Sequence, residues 1–356
     1  MEIVKSGPIR SRVRRGIATA VAAATVALLV TATPAAARVK DFPPGYTGYH
    51  TYAELTSALR ATQRDHPDIA SLRSIGKTHE GRELWMVKIS DNVRADEDEP
   101  EVLFNCGQHA QEHLTVEMCL RVVHRLTTDP AARPLVDSRE IWVIPSVNPD
   151  GAEYDINPGT FRNWRKNRQG FFGTDLNRNW AYRWGCCGGS SDLPLWPNYR
   201  GAKPFSAPES RALGEFVDSR VVGGKQQITA HVDFHTYGEL VLWPYAHTKD
   251  DTAPGLTADE QRAFQALGQR MAATNGFQAQ QSSDLNVTDG DIIDWMWARH
   301  RIWSYTFELY GKGEAEGGFY PKDTVIDRET ARNDRAVDLL LAYADCVPRV
   351  VGGSCS

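Results

Sequence analysis

The 356-residue sequence has no excess of positive charge: 40 Lys and Arg stand against 45 Asp and Glu, for a formal net charge of −5. Beyond the first fifteen residues only the stretch 162–168 is locally basic, which argues against a nucleic-acid binder built on a basic surface. The chain also lacks internal repeats, low-complexity tracts and any linker long enough to divide it, so a repeat array or a string of domains is excluded. After the N-terminal region no segment is apolar enough to span a bilayer. What is present is 41% hydrophobic and 10% aromatic residues, enough for a large core and too apolar for a disordered protein.

The N-terminus has its own pattern. Lys5, Arg10, Arg12, Arg14 and Arg15 precede an uncharged stretch, 16–32, followed by small residues at Ala35 and Ala37. A cationic start, an apolar middle and small residues before a cleavage point at Arg38 make a secretory signal. The middle is shorter than the roughly 20 residues a membrane span needs and is dominated by Ala and Thr. Arg14-Arg15 also permits a twin-arginine route. The expectation is a secreted, extracellular protein with no membrane association after cleavage. Export gives meaning to an even set of cysteines, 106, 119, 186, 187, 346 and 355, since bridges persist in oxidising compartments. A local bridge between Cys346 and Cys355 is the first expectation. Cys186 and Cys187 are adjacent; in extended chain their side chains point apart, which favours separate partners or free thiols.

From about residue 47 the apolar pattern switches between helical and strand periods. Residues 51–65 read as an amphipathic helix stopped before Pro67. Strands are expected at Ile75, 84–89, 101–106 and 141–146, with a helix over 114–126. Ser206 with Glu209 and Thr257 with Glu260 each have capping-box spacing at a helix start. The helix after Thr257 should end near Gly276. Residues 228–234 and 303–309 alternate as strands do, and a last helix is expected over 328–344. Strands interspersed with helices imply an α/β fold with a parallel or mixed central sheet.

The chemistry-bearing residues are unevenly spread. His109 and Glu112 lie at a strand-to-helix junction, where a turn would bring their side chains about 5–6 Å apart, close enough to share an ion. The overlapping pattern His109-x-x-Glu112-His113 admits another metal site with both His as ligands, but it requires a position inside a helix, which Gly107 opposes. A hydrolytic zinc takes three protein ligands and keeps one place open. The candidate third ligand is His235; His231 and Asp233 share its face, but four strand residues advance about 13 Å, so only one of the two His belongs. Strand ends are where open α/β sheets bind ligands, which favours His235. Arg178, in the stretch 175–180, is suited to gripping a carboxylate, and Arg165 to facing an oxygen that becomes negative. Glu308 is an acid in an aromatic strand, with Ser304 and Thr306 on its face; such surroundings raise a carboxyl pKa, as a general base requires.

Taken in order, His109-x-x-Glu112, Asn177-Arg178, His235-Thr-Tyr237 and Phe307-Glu308-Leu309 resemble the zinc metallocarboxypeptidases of the carboxypeptidase A and B type, especially the secreted bacterial branch that includes carboxypeptidase T. The resemblance covers nearly the whole mature chain, from residue 49 to the final helix. It implies one domain with a mixed, roughly eight-stranded sheet between helices: a signal at 1–37, a short segment at 38–46, the catalytic domain over 47–346 and a tail at 347–356. It further implies one Zn2+ held by His109, Glu112 and His235, with Asp175 orienting a ligand imidazole. Glu308 would be the general base and Arg165 the residue that polarises the scissile carbonyl. Asn177 and Arg178 would grip the free C-terminal carboxylate of a peptide or protein, and Tyr237 would border the neighbouring subsite. Ile293 falls where the family's pocket floor sets specificity, favouring apolar C-terminal residues, and Asp291 where some bacterial relatives place an acid that admits Lys or Arg. The implied preference is therefore broad or dual, and a monomer is the default. Structural calcium, bound by some bacterial relatives, is not among the expectations.

Three departures from the family pattern stand out. Asn286 occupies the place of the mobile tyrosine that covers substrate, so the expected consequence is a weaker grip with catalysis retained. Gln111 replaces an arginine common in relatives, and His113 an aromatic. Only about ten residues separate the signal from the catalytic body, so the inhibitory pro-region of relatives has no room. Two alternatives keep parts of this pattern: a zinc amidase acting on cell-wall peptides, and a non-catalytic binding module of the same fold.

Overall fold

The computed structural model describes residues 41–157 and 159–355, all within one compact unit; the signal segment lies outside them. Helix α1 (Tyr52–Asp65) starts with a capping box in which the Thr51 hydroxyl and the Glu54 carboxylate satisfy each other's backbone N–H groups. Strands β1 (Ala70–Lys77) and β2 (Glu83–Ile89) form a hairpin, and β3 (Glu101–Cys106), α2 (His113–Thr128) and β4 (Glu140–Ile144) follow. After a long, mostly irregular stretch that contains a short helix, Pro149–Asp155, and a 3-10 turn, Leu176–Arg178, come α3 (Pro208–Ser219), β5 (Ile228–His235), β6 (Leu240–Trp243), α4 (Ala258–Asn275), β7 (Gln278–Gln281), α5 (Ile292–His300), β8 (Trp303–Glu308) and α6 (Asp334–Tyr343).

The eight strands make one mixed sheet in the order β1-β2-β4-β3-β5-β8-β6-β7, as the resemblance implies. Its centre, β4-β3-β5-β8, is parallel and covered on both faces, which is why these strands are almost continuously buried. Strand alternation divides the core. Val102, Phe104, Val232, Phe234, Tyr305 and Phe307 belong to the cluster beneath α1, α2, α4 and α6, whereas Met86, Leu103, Trp142 and Ile144 pack with α3 and α5. The second face also carries a polar stripe, because the register sets Asn105 beside Asp233, Ser304 beside His231 and Glu308 beside His235. That stripe runs to the carboxyl ends of β3, β5 and β8, the usual ligand end of an open sheet.

Several local expectations are corrected. Cys186 and Cys187 are bonded to each other, with Cα atoms 3.7 Å apart; they sit in a turn, where the Cys186 N–H meets the Arg183 carbonyl, so the extended geometry that separates neighbouring side chains does not apply. Cys346 pairs with Cys355 as expected, and Cys106 with Cys119. The residues beyond 346 are not a loose tail, since Val347 and Val350 are part of the core. Thr257 and Glu260 form their capping box, but Ser206 and Glu209 do not. Helix α3 starts at Pro208, Glu209 accepts from the His79 N–H and from Asn167, and Ser206 Oγ accepts from Asn179. The last expected helix is two, Ile326–Ala331 and α6, separated where buried Asn333 bonds to the Glu329 carbonyl and to Asn275.

Phe104 is fully buried and stacks on Phe234 at 6.1 Å. Phe104→Ala should lower unfolding free energy by about 3–5 kcal/mol, measured by denaturant titration; a loss within error would mean that this layer is not the core of the sheet.

Candidate active site

The turn between β3 and α2 is bracketed by the Cys106–Cys119 bridge, and within it Glu112 is the N-cap of α2. The motif thus precedes the helix, and His113, its first residue, turns away to Asp155 at 2.9 Å. The alternative pattern with His113 as a ligand is therefore not formed. His109 Nδ1 lies 2.8 Å from Glu112 Oε1, and His235 Nδ1 lies 3.0 Å from His109 Nδ1 and 2.9 Å from Glu112 Oε2. These three buried side chains offer donor atoms all within 4.8 Å of one another. His231 is elsewhere, between Asn105 and Ser304.

Each imidazole is held from behind. His109 Nε2 donates to Asp175 Oδ1 at 3.2 Å, and His235 Nε2 to Asp233 Oδ2 at 2.5 Å. In a neutral ring, a nitrogen that donates to a carboxylate leaves the opposite nitrogen as a lone pair, so in that form both Nδ1 atoms can ligate. Asp233 is itself fixed by Asn105 at 2.6 Å and Gln108 at 2.5 Å. Burial alone would raise the Glu112 carboxyl, but His109 and His235 outweigh it and hold it well below the usual range. Burial likewise opposes charge on His235, yet Asp233 and Glu112 raise its pKa well above the ordinary value, so the second ring proton has to leave Nδ1 before that atom can ligate. Two imidazole nitrogens and one carboxylate in a negative, buried setting, opening on a cleft, are the donor set of a hydrolytic zinc site, and the residues fit that ion.

The cleft measures about 330 Å³ and is lined by His109, Glu112 and His235 together with Arg165, Asn177, Arg178, Tyr237, Asn286, Asp291 and Glu308. Glu308 is placed by the parallel pairing of β8 with β5, which sets it level with His235. Burial, reinforced by Glu112, pushes its pKa up to about 8 against the pull of His235 and Arg165. Arg165 donates from Nε to Asp175 Oδ2 at 3.0 Å, so one carboxylate orients both an imidazole and a guanidinium. Arg178 donates from Nη1 to the Asn177 carbonyl and from Nε to the Gly189 carbonyl. Asn177 donates to Asp291 Oδ2 and accepts from the Ile292 N–H. Tyr237 packs edge-on against Phe319, which also lines the cleft.

One expected residue is not in the cleft. Asp291 caps α5 through the Ile293 N–H, which leaves Asp291 on the cleft side and turns Ile293 into the core with Trp295 and Leu213. The apolar lining comes instead from Leu242, Leu285 and Phe319. Asp233 was legible only as a residue on the His235 face; its partners Asn105 and Gln108 come from β3 and the turn after it, and no local pattern points to them. Phe319 carries no signal in the sequence.

The sequence profile of the zinc carboxypeptidases matches residues 55–336. A zinc carboxypeptidase of Saccharothrix mutabilis subsp. capreolus is 56% identical over 323 residues, 89% of this chain and 74% of that protein. Among solved structures, bovine thrombin-activatable fibrinolysis inhibitor in complex with tick carboxypeptidase inhibitor is similar with a TM-score of 0.73 and 25% identity, over 83% of this chain and 97% of that one. The carboxypeptidase A of Helicoverpa armigera shares the fold with a TM-score of 0.74 and 24% identity, over 85% of this chain and 74% of that one.

Asp233→Asn keeps the side-chain volume but weakens the acceptor behind His235. Zinc affinity, measured by competition with a chelator, should fall about 10–100-fold, with the melting temperature of the zinc-loaded protein followed in parallel; unchanged affinity would remove Asp233 from the metal centre.

Proposed function

The chain belongs to the zinc carboxypeptidase family, and on that premise we propose that His109, Glu112 and His235 hold its catalytic zinc while Glu308, Arg165, Asn177 and Arg178 act on the C-terminal end of a peptide. The enzyme is a peptide-bond hydrolase that uses one zinc ion. The observation that carries the assignment of roles is the convergence of side chains from separate chain segments on one cleft. Zinc, when bound, supplies Lewis acidity and makes a water nucleophile accessible at neutral pH. Glu308, in its ionised form, takes the proton of the attacking water on its carboxylate and passes it to the nitrogen of the departing amine; the burial that raises its pKa makes that carboxylate a stronger base. Arg165, pinned by Asp175, faces the carbonyl oxygen as it gains charge. Arg178 holds the terminal carboxylate and thereby makes the reaction exopeptidic, with Asn177 fixing the floor between Arg178 and Asp291. Tyr237 borders the next subsite, and Asn286 sits at the cleft edge with a short amide to close over substrate.

The boundaries follow the same reading: a signal at 1–37 removed on export, a short segment at 38–46, and a catalytic body from 47. Secretion is supported by the signal pattern and by three disulfides that take up all six cysteines. Among the described residues no helix is long and apolar enough to cross a membrane.

Glu308→Gln should retain zinc and lose about 10²–10⁴-fold in kcat on a blocked dipeptide; near-wild-type turnover with zinc bound would overturn the role of Glu308. Substrate preference depends on Asp291. Burial, with Asp294 nearby, raises its pKa to about 7, so it is neutral below that pH and charged above it. Lys and Arg side chains stay cationic throughout. The ratio of kcat/KM for peptides ending in Lys or Arg to those ending in Leu or Phe should therefore rise between pH 6 and pH 8. A ratio that stays flat would exclude Asp291 as the acceptor for basic residues.

A further inference from the structure

Among the described residues, Arg178 forms no salt bridge. Its Nε donates to the Gly189 carbonyl at 3.3 Å, and that oxygen also accepts from Asn198 Nδ2 at 3.3 Å. Gly189 lies two residues after the Cys186–Cys187 disulfide, in the same tight turn. On either side of the cysteine pair, Gly185 and Gly188 have φ of +65° and +81°, a conformation that lets the chain fold tightly around two bonded neighbours. The loop is seated on one buried carboxylate: Asp289 Oδ2 accepts from the Cys187 N–H at 3.1 Å and the Gly189 N–H at 3.0 Å, and Oδ1 from the Ser190 hydroxyl. The approach leaves no room for a side chain, since a Cβ on Gly189 would lie 2.4 Å from Thr288 Cα. The same segment touches the clamp from its other end, where a Cβ on Gly290 would lie 2.4 Å from the Arg178 carbonyl oxygen.

We infer that residues 185–190, cross-linked by Cys186–Cys187 and seated on Asp289, form the positioning element that aims the Arg178 guanidinium at the substrate carboxylate. Asp289 and the disulfide touch no substrate; they act through the Gly189 carbonyl. The disulfide restricts the backbone of the two bonded residues, and Asp289 fixes the N–H groups of Cys187 and Gly189, so the acceptor for Nε is in place before substrate arrives. A guanidinium held at Nε by Gly189 and at Nη1 by Asn177 still has the Nη2 N–H groups and the second Nη1 N–H for a two-point grip on a carboxylate. The inference rests on the assignment of Arg178 as the carboxylate clamp.

The test uses the zinc-loaded enzyme and four variants: Asp289→Asn, Cys186→Ser with Cys187→Ser, Ser190→Ala, and Arg178→Ala as the reference. Each is assayed for KM and kcat on a blocked dipeptide, and for inhibition by a hydrolysis-resistant dipeptide with a free carboxylate and by its C-terminal amide. Loss of a hydrogen bond that orients a charged group should raise KM and the inhibition constant of the free acid about tenfold in the first two variants. The kcat and the inhibition constant of the amide should stay near wild type. Ser190→Ala, which leaves both N–H contacts and the disulfide in place, should show about a threefold rise on the same scale, and it carries the test if the larger changes prevent folding. If acid and amide weaken together, or if all three loop variants bind the acid normally, the positioning role is wrong. If Arg178→Ala leaves the acid-to-amide preference intact, the clamp assignment itself fails.

Discussion

The hydrogen bond from His235 Nε2 to Asp233 and its counterpart from His109 Nε2 to Asp175 constrain the rest of the cleft, because a neutral imidazole that donates on one side offers its lone pair on the other. Both rings therefore present Nδ1 to the same point, where Glu112 completes the donor set. The two carboxylates are anchored differently. Asp233 is part of β5 and is tied across the sheet to Asn105, whereas Asp175 precedes a short turn and also holds Arg165. The proposed metal position is thus referenced to the sheet, and Arg165, proposed to meet the developing charge, shares its carboxylate with His109.

This concentration of acid and imidazole is placed where burial magnifies each interaction. Pulling carboxylates and imidazoles out of water is costly unless they pair, and here nearly every one does so. The exception in kind is Glu308, whose pKa is raised by that same burial. It sits on β8 at the level of His235, so the sheet that fixes a proposed ligand also fixes the proposed base on the neighbouring strand. A mobile loop would hold that separation less closely than a strand pairing does.

The carboxylate end of the cleft is built on irregular chain. Arg178, Asn177 and Asp291 are linked through side-chain and backbone contacts between a short turn and the cap of α5. Around them, tight glycine approaches and a cross-linked turn do the work that strand pairing does at the metal end. On the proposed roles, His235 and Glu308 are placed by the sheet and the residues for substrate recognition by loops packed on it, a division that lets specificity vary while the strand-borne part of the centre stays fixed.

The sequence by itself determined the fold class, the central strands and the spacing that makes His109, Glu112, His235 and Glu308 candidates, because strand alternation and the turn before α2 are local properties. It also determined that His231 and His235 cannot share an ion, since residue rise along a strand is fixed. Only the tertiary structure decided that Asp233, Asn105 and Gln108 stand behind a ligand, that Ile293 faces the core instead of the cleft, and that Cys186 bonds to Cys187. Each of those outcomes depends on register between distant strands, on the rotation of a helix about its cap, or on a turn where extended chain was expected. These are relations between segments, and no periodicity within one segment encodes them.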